Sequence, residues 1–254
     1  MAALYSATLL GFSVYLILWF FVIYSFLGVL VEMIFCLVRE GVLESRLGLL
    51  YLPLRPIYGV GGVACTLLLH RFMQKPILIF LCGVLICSVV EYVASFVMEK
   101  AFGTVSWDYS DKALNLHGRI CLQYCCYWGL LAMLVLYVLD RFLYGFVDLA
   151  GGEVGEITLT VLMVLALLSM VVTLAALARI RKRVAILKAQ ARGQVVTASD
   201  TSWDRLIDGL APDSVMINSF PWTSLMMEFM ELTGERRACI RVPGHPRSPL
   251  EPHT

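Results

Sequence analysis

The stretch ITLTVLMVLALLSMVVTLAALA, residues 157–178, decides the fold class of this chain. Its twenty-two residues are all apolar or carry a small hydroxyl group. About 20 such residues in a helix cross the hydrocarbon core of a bilayer, because each residue adds about 1.5 Å. We therefore predict that this stretch crosses a membrane as an α-helix.

The rest of the chain has the composition of a membrane protein. Of its 254 residues, 59% are hydrophobic and 15% are charged, whereas soluble domains are about a quarter charged. Backbone amides in hydrocarbon must bond within the segment, so long apolar runs there form helices. We predict an all-α fold, a polytopic membrane helix bundle of about five transmembrane helices within residues 1–178. The other four spans are predicted at about 11–38, 57–69, 77–98 and 120–139. The run at 57–69 is short, so it tilts, begins inside the preceding loop or is partly re-entrant.

Lysine and arginine set the predicted orientation. Twelve of them fall in the first and third connections or after the fifth span, and three fall on the other side. Because basic residues accumulate on the cytoplasmic side, the N-terminus is predicted outside and the C-terminus in the cytoplasm.

Two segments follow the last span. Residues 179–192, RIRKRVAILKAQAR, predict a basic juxtamembrane helix, which is either a stop-transfer flank or a segment that rests on anionic head groups. The polar composition of residues 193–254 predicts a cytoplasmic tail that is largely disordered. Within it, PWTSLMMEFMEL (221–232) has helical spacing of Trp222, Leu225, Met226 and Phe229, typical of a surface or partner-binding helix.

Several classes of protein are not indicated. The net charge of +1 gives no sign of a nucleic-acid partner. The sequence has no CxxC pair and no histidine spacing typical of a metal site, so neither a metal nor a cofactor is predicted. It has no phosphate-binding motif of an ATPase and no nucleophile elbow. The sequence therefore indicates no catalytic residue.

The unusual polar residues fall at one depth on one side of the predicted bundle. Glu32 and Glu91 lie in the halves of the first and third spans that face the first and third connections. Alternate connections share a side of the membrane, so these acids and the residues of the two connections meet at one end. The candidate substrate-binding residues are Glu32, Arg55, Tyr58, Glu91, Trp107, Asp108, Tyr109, Asn115 and Arg119.

Three interpretations of the two acids remain open. An acid near the centre of a membrane helix costs about 2.5–3.5 kcal/mol, so it faces the bundle interior or a partner. Arg55 and Arg119 lie at the correct depth to pair with Glu32 and Glu91, so the pairs are structural or form a site for an ion, a proton or a polar head group. Glu32 also lies near enough to the end of its span to extend to the membrane surface.

Four motifs carry a resemblance to a known family: YSFLGVLVE (24–32), LPLRPIYGVGG (52–62), EYVASFVMEKAFGTVSWDYSD (91–111) and NLHGRICL (115–122). Over about residues 15–140 the chain resembles the bacterial family called putative ABC-transporter type IV, or the CmpB-like permease family. The resemblance implies a permease subunit in the bacterial cytoplasmic membrane, a separate ATPase subunit as its partner, and a homo-oligomer as a further option.

The sequence leaves three functions open. The first is a permease-like protein in the lipid bilayer with a polar site at the cytoplasmic mouth of the bundle. The second is a membrane-embedded enzyme that acts on a lipid or lipid-linked substrate, with Glu91 and Asp108 as acid and base and Arg119 on a phosphate. The third is a structural or regulatory membrane protein whose ion pairs serve packing alone.

Overall fold

The computed structural model describes residues 6–41, 48–194, 201–221 and 223–235, with the side chains of residues 39 and 40 excepted. The fold is an all-α helix bundle, as predicted. Two short antiparallel hairpins, β1 (Thr8–Leu9) with β2 (Phe12–Ser13) and β3 (Asn115–Leu116) with β4 (Ile120–Cys121), precede the first and fourth helices. The helices are α1 (Val14–Glu40), α2 (Pro56–Leu69), α3 (Pro76–Phe102), α4 (Leu122–Leu134), α5 (Asp140–Leu149), α6 (Glu153–Ala191), α7 (Ser202–Leu210), α8 (Asp213–Ser219) and α9 (Ser224–Thr233).

Within the described ranges, four helical stretches are long and apolar enough to cross a membrane: Val14–Val38, Pro76–Phe102, Leu122–Leu149 and Glu153–Ala191. The chain is therefore a multi-pass membrane protein. The third stretch is α4 and α5, joined without a break through the π-helical turn Val135–Leu139.

This α4–α5 stretch ends ten residues beyond the end predicted for the fourth span. It passes Asp140, which the sequence places in a connection. Asp140 is buried, and its carboxylate accepts hydrogen bonds from the hydroxyls of Tyr24 and Thr66. The bundle accommodates this acid because it supplies donors from two other helices.

The second predicted span is the short helix α2. Its 14 residues extend about 21 Å, so α2 crosses a bilayer only together with the loop that precedes it. It begins halfway along α1, where the Arg55 N–H donates to the Ser25 carbonyl oxygen at 2.8 Å. Helix α2 ends beside the start of α1, where the rings of His70 and Phe12 lie 5.5 Å apart, so the loop and α2 together run the length of the bundle.

The re-entrant loop, residues 48–55, has non-helical backbone inside the bundle. Its Leu50 and Tyr51 N–H groups donate to the hydroxyls of Thr173 and Ser169 on α6, at 3.1 and 3.4 Å. Irregular backbone at membrane depth requires such protein partners, because lipid offers none. The small hydroxyls of the 157–178 stretch thus have a structural role.

The tail was expected to be largely disordered; its residues 201–221 and 223–235 are helical in large part, whereas 195–200 and 236–254 lie outside the described residues. Helix α6 continues through residues 179–191 without a break, and α7, α8 and α9 pack against it. The buried residues at this contact are Ala176, Leu177, Ile180 and Val184 of α6 with Ile207, Met216, Ile217, Leu225, Met226 and Phe229. Apolar residues at helical spacing in the tail provide the burial that orders it. The apolar face of α9 agrees with the prediction, and Trp222 lies outside the described residues.

The basic residues of α6 engage the acids of these three helices. Arg179 pairs with Asp208 and Asp213, and Arg183 pairs with the same two carboxylates. Lys182 lies 2.8 Å from Asp204, and Lys188 pairs with Glu228. Four basic residues of α6 therefore bind the C-terminal helices.

Candidate functional site

A polar cavity of about 700 Å³ lies at the end of the bundle that carries the β3–β4 hairpin and α7–α9. Helices α1, α2, α3 and α4, the loop after α3, and α9 form its walls. Seven of the nine predicted residues line it: Glu32, Arg55, Tyr58, Glu91, Trp107, Asp108 and Tyr109. Asn115 and Arg119 do not.

An ion pair joins α1 to the start of α2. The Arg55 guanidinium lies 3.1 Å from the Glu32 carboxylate, and both side chains are largely buried. The Tyr58 hydroxyl donates to the same carboxylate at 3.3 Å. Glu32 therefore turns into the bundle and does not extend to the membrane surface.

Glu91 has neutral partners. It is 3% exposed. Its carboxylate accepts hydrogen bonds from the Trp128 indole N–H at 2.7 Å and from the Tyr109 hydroxyl at 3.2 Å. Burial, together with the neighbouring Glu91 carboxylate, raises the pKa of Tyr109, so its hydroxyl keeps the proton that it donates.

The predicted pairing of Glu91 with Arg119 is wrong. Arg119 pairs with Glu99, two turns farther along α3, and its guanidinium lies over the rings of Tyr92 and Phe96 at 5.4 and 5.5 Å. The physical reason is that the hairpin places Arg119 on the outer face of α3, where rings stabilise a cation. Arg119 still acts on the cavity indirectly, because its carbonyl oxygen accepts the Trp107 indole N–H at 2.9 Å.

The loop after α3 is held by its own polar groups. Asp108 accepts the Ser110 N–H at 2.9 Å and the Ser110 hydroxyl at 2.6 Å. The Asn115 amide donates to the carbonyl oxygens of Ser110 and Lys112 and accepts the Gly118 N–H. These bonds form a tight turn, so Asn115 and Asp108 fix the position of Trp107 and Tyr109.

This geometry does not assemble the catalytic set considered for a lipid enzyme. Asp108 binds its own turn, and Arg119 lies outside the cavity with Glu99. The enzyme hypothesis requires Asp108 to act with Glu91 as acid and base and Arg119 to bind the phosphate. In this arrangement neither residue joins Glu91 in that role.

Four aromatic residues of the cavity were missed by the sequence reasoning: Phe35, Tyr124, Tyr127 and Trp128. Tyr124 stacks on Tyr109 with ring centroids 4.6 Å apart, and Trp128 meets Tyr58 edge to face at 5.3 Å. The spacing of Tyr124, Tyr127 and Trp128, at i, i+3 and i+4 of an apolar helix, is the signal that could have found them.

A second space, the apolar groove, adjoins the polar cavity. It has a volume of about 230 Å³. The two spaces share the wall residues Val31, Ile57, Tyr58, Glu91, Trp128 and Leu131. Its outer rim includes Leu30, Ile34 and Leu134, which are exposed on the lateral surface of the bundle. The groove therefore lies between this exposed apolar surface and the wall of the polar cavity.

Helix α9 closes the cavity at its outer end. The Ser224 hydroxyl accepts the Val105 N–H at 2.8 Å, and the Ser224 N–H donates to the Val105 carbonyl oxygen at 2.9 Å. Ser224 and Met227 line the cavity. The C-terminal helices are thus part of the site.

Comparison with known proteins gives one family. The family model described as Putative ABC-transporter type IV matches residues 19–174. This range includes the seven cavity residues that were predicted, whereas α7–α9 lie beyond it. No curated protein and no solved structure matches the chain.

Proposed function

We propose that this chain, which belongs to the Putative ABC-transporter type IV family, is the substrate-binding membrane component of a transport system. The polar cavity receives the polar end of an amphipathic, lipid-like substrate. The apolar groove receives part of its hydrocarbon chain.

The adjacency of the two spaces, which share one wall, carries this proposal. Tyr58, Glu91 and Trp128 stand at the boundary, with charged and aromatic groups on one side and aliphatic side chains on the other. A substrate that is polar throughout would leave the groove unfilled, and a hydrocarbon would leave buried carboxylates unsatisfied. A molecule with one polar and one apolar end satisfies both.

The proposed setting is the bacterial cytoplasmic membrane, with the N-terminus outside and the C-terminus in the cytoplasm. The excess of basic residues on one side supports this orientation, which puts the polar cavity at the cytoplasmic mouth. The chain has no phosphate-binding motif of its own, so a separate ATPase would drive transport. The β3–β4 hairpin and α7–α9, at the cytoplasmic end, are its proposed docking surface.

A matched pair of substitutions tests the binding site. Leu131 lines both spaces, whereas its neighbour Leu130 is 57% exposed on the outside of α4. Leu131→Trp adds a ring at the wall that cavity and groove share, and Leu130→Trp adds the same ring outside both. The purified proteins are incubated with total lipid from the expression host and examined by native mass spectrometry.

We expect the wild type and Leu130→Trp to retain a bound amphiphile that Leu131→Trp loses. Equal retention by all three proteins, or no bound amphiphile in the wild type, would contradict the proposal. If Leu131→Trp keeps the wild-type melting temperature yet loses the amphiphile, its loss cannot be attributed to misfolding.

A further inference from the structure

The charges of the polar cavity do not balance. Its lining has three carboxylates, Glu32, Glu91 and Asp108, against the guanidinium of Arg55. Arg55 and Glu32 neutralise each other at 3.1 Å. Asp108 points into its own turn, where two donors from Ser110 hold it. The charge that faces the interior is therefore that of Glu91.

Glu91 has no basic partner among residues 6–41, 48–194, 201–221 and 223–235. Its two hydrogen bonds, from Trp128 and Tyr109, stabilise a carboxylate but leave its negative charge uncompensated. A buried carboxylate in this situation is costly unless a cation or a proton joins it. The site thus has the electrostatics of a cation receptor.

Aromatic rings surround this carboxylate on both sides. Each donor to Glu91 belongs to a ring pair: Tyr109 stacks on Tyr124, and Trp128 contacts Tyr58. Seven rings line the cavity in all: Phe35, Tyr58, Trp107, Tyr109, Tyr124, Tyr127 and Trp128. Ring faces attract alkylated ammonium groups, which are too weakly hydrated to prefer water and have few or no N–H donors.

We infer that the polar end of the substrate is an alkylated ammonium group, bound between the aromatic rings with Glu91 as its counter-ion. This inference rests on the proposed function, because it names the head group of the amphiphile assigned to the same cavity. A phosphate or sulfate head group without a cation does not fit, since Arg55 is already paired with Glu32 and Glu91 would repel it.

The test uses four probes and two matched carboxylate variants. The probes are dodecyltrimethylammonium, dodecyl sulfate, tetramethylammonium and dodecanol, titrated into protein in dodecyl maltoside micelles with affinity measured by microscale thermophoresis. Glu91→Gln removes the proposed counter-ion. Glu99→Gln removes a carboxylate from the same helix that pairs with Arg119 outside the cavity. Partition of a given probe into the micelle is the same for all variants, so it cancels when the variants are compared with that probe.

We expect dodecyltrimethylammonium to bind the wild type and Glu99→Gln about tenfold or more tighter than Glu91→Gln, consistent with loss of a desolvated ionic contact. Dodecyl sulfate and dodecanol should bind more weakly than the ammonium probe and should not discriminate against Glu91→Gln.

A second pair of variants serves if Glu91→Gln does not fold. Trp128→Phe then replaces it, with Trp203→Phe as control, since Trp203 is 57% exposed on α7. The affinity should then fall a few-fold for Trp128→Phe alone, since tryptophan is the best ring for a cation.

The outcomes separate this inference from the proposed function. Tight binding of dodecyl sulfate or dodecanol that Leu131→Trp abolishes would overturn the ammonium head group and leave the amphiphile site in place. Tetramethylammonium binding as tightly as the long-chain probe would support the cation and contradict an amphipathic substrate. No binding of any probe, or equal binding to Glu91→Gln and Glu99→Gln, would overturn the inference.

Discussion

Helix α2 packs against α1 through glycines, and two neighbouring substitutions test this contact. A methyl group at Gly59 would lie 2.2 Å from the Ser25 hydroxyl oxygen and 2.7 Å from the backbone oxygen of Phe21. A methyl group at Gly61 would meet its nearest neighbour, the Cys87 sulfur, at 3.9 Å. Gly59→Ala therefore requires the helices to separate, whereas Gly61→Ala requires no movement.

The difference in free energy between the two variants can be worked out. Overpacking a close contact costs about 1–3 kcal/mol. Alanine in place of a helical glycine gains about 1 kcal/mol where it fits. We expect Gly59→Ala to be destabilised and Gly61→Ala to be at least as stable as the wild type. Because the gain applies to both positions, the two should differ by the overpacking cost of about 1–3 kcal/mol, or ~0.7 to 2 orders of magnitude in the unfolding equilibrium.

Unfolding by dodecyl sulfate in mixed micelles, followed by tryptophan fluorescence, measures this difference. Separation of α2 from α1 also moves Arg55 away from Glu32, so Gly59→Ala should bind the amphiphile more weakly than Gly61→Ala. Equal stability of the two variants, or a less stable Gly61→Ala, would refute the close contact between the helices.

Three further predictions concern the re-entrant loop, the C-terminal helices and the partner. Thr173→Val leaves the Leu50 N–H without its acceptor and should cost about 1–3 kcal/mol in the same unfolding assay; an unchanged midpoint would mean that the loop does not lie on α6. Asp213→Asn removes a carboxylate from both Arg179 and Arg183, so limited proteolysis of intact protein should cleave residues 201–235 faster at neutral pH, and an unaltered cleavage rate would count against the ionic contact. Purification under mild detergent from the native membrane should recover a nucleotide-binding subunit, and its absence under cross-linking conditions would contradict the ATPase partnership.

Hydrophobic run length was sufficient to predict the bundle. Residues 157–178 lie within α6, and the long apolar runs in the first and third spans correspond to α1 and α3. The same property placed the end of the fourth span too early. Asp140 is charged in the sequence, and only the hydroxyls of Tyr24 and Thr66, distant along the chain, make it acceptable inside a helix bundle. Run length carries no information about such distant partners.

Seven of the nine candidate residues line one cavity, and of the two predicted pairs Glu32–Arg55 is present whereas Glu91–Arg119 is not. Counting spans fixes the side of the membrane for Glu91 and Arg119, whereas it does not fix the face of the helix. The hairpin that turns Arg119 toward Glu99 depends on left-handed backbone at Leu114, His117 and Gly118, which composition does not reveal. Helices α7 and α8 were not predicted for a related reason, since they are short and gain their stability from packing on α6.

The short length of α2 explains why a cavity exists at all. Helices α1, α3 and α4 continue beyond the level at which α2 begins, and a full-length helix in its place would fill the space between them. The re-entrant loop instead enters the bundle at that depth and fixes the start of α2 through Arg55. The space left above it is lined by side chains of the longer helices, among them Phe35, Glu91 and Tyr124. Polar groups can occupy this depth because they face one another and the cavity instead of lipid. The short length of α2, which leaves part of the crossing to a loop, is therefore also the feature that creates the site.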